Sequence, residues 1–184
     1  LAWQQVEDIT GARVLALGGV SVPALGSVTF PLAPATTPSS SPFAIAGDTV
    51  TTPFYQARFD AAGGICSLVD RPSGREWVAP GGVLNALLLG EDFPSNYDNW
   101  EIEDDLALKL QRETRLVARE VVAEGPVQLR VRLTWELGQN SRVRQDVVFR
   151  AQSPAVEFDT EVDWQEVHRF LKASFDLNVR TAVA

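Results

Sequence analysis

The chain has 184 residues, of which 45% are hydrophobic, and it carries a net charge of −8. That length accommodates one domain with a sizeable core, or one domain and a piece of another. The negative charge argues against a nucleic-acid partner, since phosphate binding needs clustered lysines and arginines, and no apolar run approaches the roughly 20 residues of a membrane-spanning helix.

Cysteine and methionine usage bears on the compartment and on the completeness of the chain. The one cysteine, Cys66, excludes an internal disulfide and gives no sign of an oxidising compartment. No signal-peptide pattern opens the chain, so we expect a cytoplasmic location. The sequence begins at Leu1 and contains no methionine, which predicts a segment cut from a longer product.

The N-terminal part of the chain divides into a β-prone stretch and a proline-rich stretch. Val6–Leu32 predicts two or three short strands, punctuated by glycines and a proline. Prolines, serines and threonines then dominate, which is typical of a linker. We therefore predict that residues 1–33 end a small β-domain, that 34–50 form a linker, and that 51–184 belong to a larger domain.

The larger domain begins with a predicted hairpin. Phe54–Phe59 and Ile65–Val69 are β-prone, and the glycine-rich turn between them accepts positive φ. Val83–Leu89 is mostly apolar and predicts a strand buried on both faces, although periodicity alone also allows a buried helical turn. A short helix is the alternative to a strand around Leu106–Gln111.

Four runs in which apolar and polar side chains alternate fill the last third of the chain. Side chains on a strand point alternately to opposite faces, so each run predicts a half-buried strand. Apolar faces of this kind can be buried only against another layer, which predicts an all-β fold, an antiparallel β-sandwich. The runs are Val127–Leu137, Val143–Phe149, Val156–Trp164 and Leu171–Val179. Burial in the third run should contribute roughly 1.5–3 kcal/mol for each of Val156, Phe158, Val162 and Trp164.

The parity of the apolar positions predicts the strand register. Apolar positions are odd-numbered on both sides of Gly138, so the connection there must be odd, for example with Leu133 opposite Val147 and hence Glu136 opposite Arg144. After Arg150 the apolar positions become even-numbered. The predicted pairs across that second connection are Phe149 with Val156, Arg144 with Glu161, and Arg142 with Asp163.

A row of carboxylates lines the polar face of the third run. Alternate residues on a strand lie roughly 6.5 Å apart, which overlaps the spacing of an inverting glycosidase pair. A row on one strand faces one direction and cannot flank a scissile bond, so we interpret it as a solvated face paired with arginines. The row is Glu157, Asp159, Glu161 and Asp163.

The sequence contains no recognisable nucleophile–base or metal-ligand motif. His168 is the only histidine, and neither a metal-ligand spacing nor a nucleophile-elbow motif accompanies it. We interpret His168 as a strand-end surface residue and Cys66 as inert packing in an apolar strand.

The best candidate for function is the loop Phe93–Glu101. Trp and Tyr offer flat apolar faces to sugar rings, and Asp and Asn hydrogen-bond hydroxyl groups. Loops also carry function more often than strands do. The alternative is an ordinary loop whose Trp100 is tucked into the core.

Three stretches carry a family resemblance. Residues 54–76 contain Phe-Tyr-x-x-x-Phe-Asp-x-x-Gly-Gly-Ile-x-Ser-Leu-x-Asp and then Gly-Arg-Glu, and residues 158–175 contain Phe-x-Thr-Glu-Val-Asp-Trp-x-Glu-x-His-x-Phe-Leu-Lys-x-x-Phe. Both resemble the C-terminal β-sandwich of family-38 glycoside hydrolases, the α-mannosidases. Residues 96–101 resemble the family's Trp-Asp-Ala-Trp-Asp loop, with departures at the first Trp, at Ala and at the last Asp.

The resemblance implies that 51–184 is the first, incomplete part of a galactose-mutarotase-like supersandwich. It implies a parent enzyme that hydrolyses α-mannosides with retention, using zinc and a carboxylate nucleophile in an N-terminal catalytic domain. That domain would be the partner within the same polypeptide, while this chain would hold no cofactor and be inactive alone. Asp98, Asn99 and Trp100 would rim the sugar pocket.

Two other classes of function stay open, namely a freestanding carbohydrate-binding module and a purely structural β-domain. An unpaired edge in an incomplete sheet also leaves homo-oligomerisation open.

Overall fold

The structure, a computed structural model, describes residues 1–31, 40–97 and 101–180. The elements in chain order are β1 (Ala2–Glu7), β2 (Arg13–Gly18), β3 (Ala44–Ala46), β4 (Thr49–Thr51), β5 (Tyr55–Phe59), β6 (Ile65–Asp70), β7 (Leu84–Glu91), α1 (Leu106–Lys109), β8 (Gln111–Arg112), β9 (Leu116–Glu124), β10 (Gln128–Leu137), β11 (Ser141–Arg150), β12 (Ser153–Asp163) and β13 (Arg169–Phe175). The prediction of an all-β fold is confirmed. The described ranges contain no helix that is long and apolar enough to cross a membrane.

The strands form two sheets and a separate hairpin. The smaller sheet has the order β12-β11-β10-β9, and the larger has the order β13-β7-β6-β5-β4-β3 with β8 paired to β7. The hairpin consists of β1 and β2. Each of these pairings is antiparallel. The two sheets therefore make the expected antiparallel sandwich.

The hydrophobic core lies between the two sheets. The Phe149 ring of β11 lies 6.0 Å from the ring of Tyr55 and 6.4 Å from that of Phe59, both on β5. Trp135 of β10 is 1% exposed, and its indole Nε1 donates to the Ala62 carbonyl oxygen at 2.7 Å. Fully burying a large apolar side chain stabilises a fold by roughly 1.5–3 kcal/mol, so contacts of this kind hold the layers together.

The connection between β10 and β11 has an odd number of residues, as predicted. The register of the two strands, however, differs by two residues from the predicted pairing of Leu133 with Val147. Val131, not Leu133, faces Val147, and Glu136 faces Arg142 rather than Arg144. Leu137 pairs with Ser141 at the turn, so the loop between the two strands is two residues shorter than a pairing of Leu133 with Val147 would require. The register of β11 with β12 is confirmed, since the structure pairs Phe149 with Val156, Arg144 with Glu161, and Arg142 with Asp163.

The fourth alternating run does not continue the sheet of the other three. β13 crosses to the larger sheet and pairs with β7, so β12 and β13 are edge strands of opposite sheets. Across the layers, the rings of Phe158 and Phe175 lie 5.7 Å apart. The predicted burial of Val162 is wrong, because its position on the edge strand β12 leaves it 44% exposed.

Two uncertain elements are resolved. Val83–Leu89 corresponds to β7, a strand that is buried along most of its length on both faces. The Leu106–Gln111 segment contains α1 and then the start of β8. The division at 33 and 50 stays a prediction, and the larger sheet itself starts at Ala44.

Candidate functional site

The predicted sugar-contacting residues Asp98, Asn99 and Trp100 lie outside the described residues, so their role stays a prediction. The chain on either side of them is held together. The Glu101 amide donates to the Tyr97 carbonyl oxygen at 3.3 Å, and the Ser95 amide donates to the Glu103 carboxylate at 2.6 Å. These hydrogen bonds close the base of the loop.

His168 anchors the start of the same loop to the sandwich. Its ring stacks on Phe93 with centroids 4.5 Å apart and planes inclined by 19°, and its carbonyl oxygen accepts from the Asp92 amide at 2.9 Å. His168 is exposed and directly precedes β13. Its interpretation as a strand-end surface residue is confirmed.

A polar cavity of about 440 Å³ lies where the end of β7 meets β8 and β13. We call it the loop-end cavity. Its lining combines one apolar side chain, Leu89, with carboxylate, amide and cationic groups, which are the donors and acceptors that hydroxyl groups need. The charged and amide side chains in the lining are Glu91, Lys109, Gln111, Glu113, Gln139, Glu166 and Arg169.

Long-range strand pairing assembles this cavity. Leu89 of β7 pairs with Gln111 of β8, and Glu91 of β7 pairs with Arg169 of β13. The sequence pattern did not single out these residues, because they are ordinary strand-end polar residues far apart in the chain. Of these residues, only Glu91 lies close in sequence to the predicted site, two residues before the Phe93–Glu101 loop.

Glu166 organises the floor of the cavity. Its carboxylate accepts hydrogen bonds from the amides of Gln139 and Asn140 at 2.9 and 3.0 Å and from the Ser141 hydroxyl at 3.1 Å. The hydrogen bonds from the Asn140 and Gln139 amides hold the pKa of Glu166 below its ordinary value. The carboxylate thus fastens the β10–β11 turn to the β12–β13 connection.

Several large exposed side chains belong to residues that are close in sequence to the residues lining the loop-end cavity. The exposed fractions reach 75% at Tyr97 and 88% at Leu108, next to the cavity residue Lys109. Exposed apolar side chains of this size are available for contact with other molecules or domains. We call this set the loop-end surface, which comprises Phe93, Tyr97, Ile102, Leu108 and Val167.

Three of the four carboxylates in the row of β12 are paired with arginines, as predicted, whereas Asp163 accepts a hydrogen bond from the Gln165 side chain at 2.7 Å. Glu157 binds Arg150 at 2.5 Å, and this hydrogen-bonded ion pair lowers the pKa of Glu157. Asp159 binds Arg130 at 2.9 Å, and Glu161 forms an ion pair with Arg144. The row therefore serves as a surface charge ladder rather than as a pair of catalytic carboxylates.

The described residues offer no site for a metal ion. No group of three or more His, Cys, Asp or Glu side chains in residues 1–31, 40–97 and 101–180 is arranged to hold one. The resemblance implies zinc in a separate catalytic domain, and that placement stays a prediction. Cys66 is half-buried, and its thiol donates to the Arg58 carbonyl oxygen at 3.4 Å.

Comparison with known proteins identifies relatives along the whole chain. The model of the glycosyl hydrolases family 38 C-terminal domain matches residues 50–184. Alpha-mannosidase 2C1 of Homo sapiens is 34% identical over 137 residues, covering 74% of this chain and 13% of that protein. Alpha-mannosidase 2C1 of Mus musculus is 32% identical over 202 residues, covering 100% of this chain and 19% of that protein. Alpha-mannosidase G of Dictyostelium discoideum is 27% identical over 125 residues, covering 64% of this chain and 11% of that protein. The chain spans less than a fifth of the length of these relatives.

Proposed function

Because the chain belongs to family 38 of the glycosyl hydrolases, as part of the C-terminal domain, we propose that it is a non-catalytic β-sandwich segment of an alpha-mannosidase. The parent polypeptide would hydrolyse α-mannosides in the cytoplasm. The family match over 50–184, together with alpha-mannosidase relatives many times longer, is the observation that carries this proposal.

The proposed role of the segment is to support the catalytic domain of the same polypeptide. The zinc ion and the carboxylate nucleophile of a retaining mechanism would then belong to that domain. The loop-end surface supports this role, because exposed apolar side chains such as Tyr97 and Leu108 are suited to contact another domain.

The decisive experiment compares the isolated 184-residue chain with the full polypeptide. Both are assayed with an aryl α-mannoside, with and without added zinc. We expect turnover only with the full polypeptide, and its loss when zinc is chelated. Zinc-dependent turnover by the isolated chain would overturn the non-catalytic role.

The same proposal assigns Asp98, Asn99 and Trp100 to the rim of the sugar pocket. The polar loop-end cavity, whose lining includes Glu91, supports this assignment, as do the aromatic rings of Phe93 and Tyr97 on the adjoining chain. In the full enzyme, Trp100→Ala should lower kcat/KM roughly tenfold, the effect of about 1.4 kcal/mol of lost transition-state binding. Glu120→Gln, on the outer face of the smaller sheet, is the control. An unchanged kcat/KM in Trp100→Ala would contradict the rim assignment.

A freestanding carbohydrate-binding module is the second candidate, favoured by the same exposed aromatic rings. Titration of the isolated chain with mannose, followed by tryptophan fluorescence, tests it. A saturable response that Trp100→Ala removes would favour a binding module, and the absence of a response would favour the supporting role.

A further inference from the structure

The connection between β12 and β13 carries a motif that the proposed function does not use. Its residues Trp164, Glu166 and His168 belong to the stretch that resembles the family. The chain leaves the smaller sheet at Asp163 and enters the larger sheet at Arg169. We call residues 164–168 the crossover, because this short segment joins the two layers of the sandwich.

On the side of the smaller sheet, the crossover is fastened to the β10–β11 turn. The Glu166 carboxylate accepts the three hydrogen bonds from residues 139–141 described above, and the Gln165 amide donates to the Ser141 hydroxyl oxygen at 2.8 Å. Gly138 has a left-handed φ of +52, and a Cβ atom there would overlap the Glu166 carboxylate. The turn and the carboxylate are therefore in direct contact, and Glu166 fixes where the turn lies.

On the side of the larger sheet, His168 is fastened to the end of β7. Its φ of +52 is left-handed, which is uncommon for a residue other than glycine. Such a conformation persists where the surrounding contacts determine it, and here there are two such contacts. The carbonyl oxygen accepts from the Asp92 amide at 2.9 Å, and the imidazole stacks on Phe93 with centroids 4.5 Å apart. These contacts set the direction in which the chain leaves β7.

The crossover also relates the walls of the loop-end cavity to each other. Glu166 lies in the lining of the cavity and holds one wall, the β10–β11 turn, while His168 holds the chain that follows the other wall, the end of β7. The lining residues of these two walls are Gly138 and Gln139 from the turn and Leu89 and Glu91 from β7.

We infer that Glu166 and His168 are positioning residues for the sugar pocket of the full enzyme. This inference rests on the proposed function, in which the chain that follows β7 borders that pocket. Each residue acts through another element, Glu166 through the β10–β11 turn and His168 through the ring of Phe93. Position matters because a displacement of about 1 Å, caused far from the reacting atoms, can lower an enzymatic rate by about 100-fold.

Steady-state kinetics of the full polypeptide with an aryl α-mannoside tests the role of His168. His168→Ala removes the stacked ring and should raise KM roughly tenfold with little change in kcat, the pattern of a lost binding contact. His168→Phe keeps a flat ring that can stack on Phe93 and should keep the KM of the wild type. Phe93→Ala removes the other ring at a position that is 57% exposed, and should raise KM as His168→Ala does. It tests the same contact if His168→Ala does not fold.

Glu166→Ala tests the other half of the crossover and has a matched control. It releases the β10–β11 turn and should also raise KM. Asp70→Ala likewise removes a carboxylate that accepts from a turn amide, that of Ser73, at 2.9 Å. The antiparallel pairing of Ile65 with Leu84 places Asp70 at the end of the larger sheet opposite the loop-end cavity. Asp70→Ala should therefore leave KM unchanged.

Hydrogen exchange of the full polypeptide gives a second measurement. Peptides that cover residues 89–97 should exchange faster in His168→Ala than in the wild type, and at the wild-type rate in His168→Phe. A residue that only stabilises the fold would instead lower the amount of active enzyme, so that kcat would fall while KM stayed the same.

The possible results separate this inference from the proposed function. An unchanged KM in either alanine variant of the crossover would overturn the role of that residue. Equal increases of KM in His168→Ala and His168→Phe would also overturn it, because the imidazole itself would then be needed. In each of these cases the wild type still turns over the substrate, and the proposed function stands. A full wild-type polypeptide without turnover would overturn both.

Discussion

At the scale of single residues, one glycine shows how a turn and the core depend on each other. Gly63 follows β5 with φ +86, and a Cβ atom there would lie 2.7 Å from the Trp135 ring. The neighbouring Ala62 carbonyl oxygen accepts the Trp135 indole hydrogen bond. The turn therefore needs glycine for two reasons, its backbone conformation and the space that the tryptophan occupies.

Gly63→Ala should consequently destabilise the protein more than an alanine at another left-handed glycine. Gly47 has φ +58 and open space around its Cβ position. Gly47→Ala should therefore lower the free energy of unfolding by only about 1 kcal/mol, the cost of a left-handed backbone conformation for alanine. Gly63→Ala should cost roughly 1–3 kcal/mol more, because the methyl group overpacks the core. Urea unfolding followed by tryptophan fluorescence measures both, and equal midpoints for the two variants would contradict the steric argument.

The Glu166 carboxylate makes a prediction about pH. Hydrogen bonds from the Asn140 and Gln139 amides lower its pKa in the folded protein from the ordinary value of 4.5. A lowered pKa contributes stability that is present above the ordinary value and is lost as the pH falls through the folded value. The free energy of unfolding should therefore fall less steeply between pH 5 and pH 3 in Glu166→Gln than in the wild type. Parallel curves for the two proteins would rule out this role.

At the scale of elements, buried ionic contacts join three strands and the hairpin. Arg132 of β10, which binds Asp146 at 2.7 Å, donates to the Asp8 carbonyl oxygen of the β1–β2 hairpin at 2.9 Å. Asp146 of β11 accepts from Arg130 of β10 at 3.0 Å, and Arg130 also binds Asp159 of β12 at 2.9 Å. The side chain of Arg130 is 7% exposed, whereas that of Glu161 on the same sheet is 53% exposed. Desolvated and solvated ion pairs thus lie side by side on one face.

The two kinds of ion pair should respond differently to mutation. Asp146→Ala leaves Arg130 buried without one of its partners and should cost roughly 3–5 kcal/mol. Glu161→Ala removes an exposed partner of Arg144 and should cost about 0–1 kcal/mol. Chemical denaturation measures both free energies. In hydrogen-exchange measurements, the amides of the β1–β2 hairpin should exchange faster in Asp146→Ala but not in Glu161→Ala. Equal losses of unfolding free energy in the two variants would contradict the buried ionic network.

At the scale of the whole molecule, contacts between the sheets make the sandwich one unit. Phe149 contacts Tyr55 and Phe59 across the layers, and Trp135 reaches the β5–β6 turn. At the opposite side, β12 and β13 meet through Phe158 and Phe175. Neither sheet buries its apolar face without the other, so we expect both to unfold together.

Phe149→Ala should lower the free energy of unfolding by roughly 3–5 kcal/mol, the cost of removing a large buried ring. Phe93→Ala is the matched control, because that residue is 57% exposed, and it should cost only about 0.5–1.5 kcal/mol, the loss of its stacking on His168. Far-ultraviolet circular dichroism and tryptophan fluorescence should report coincident transitions. Separate transitions for the two probes would contradict a single cooperative unit.

The predicted loop shows the limit of sequence patterns for the candidate site. Composition pointed to Phe93–Glu101, but the loop-end cavity is built from strand ends that pair across long distances in the sequence, such as Glu91 with Arg169. Among the residues that line the cavity, only Glu166 is one of the specified residues of the motif at residues 158–175, and the others are ordinary residues of strand ends and turns until the strands meet. The resemblance at 54–76 and 158–175, in contrast, identified the family directly, and the match over 50–184 confirms it.

Alternation by itself determined which side chains of β10, β11 and β12 face the core and which carry the charge ladder, because the direction of a side chain on a strand is a local property. Local patterns did not determine the sheet that each strand joins. β13 has the same alternation as β12, yet it lies in the other sheet, paired with β7. That choice, and with it the loop-end cavity, depends on which backbone edge and which apolar face are free once the chain has folded back on itself, and only the tertiary structure decides this.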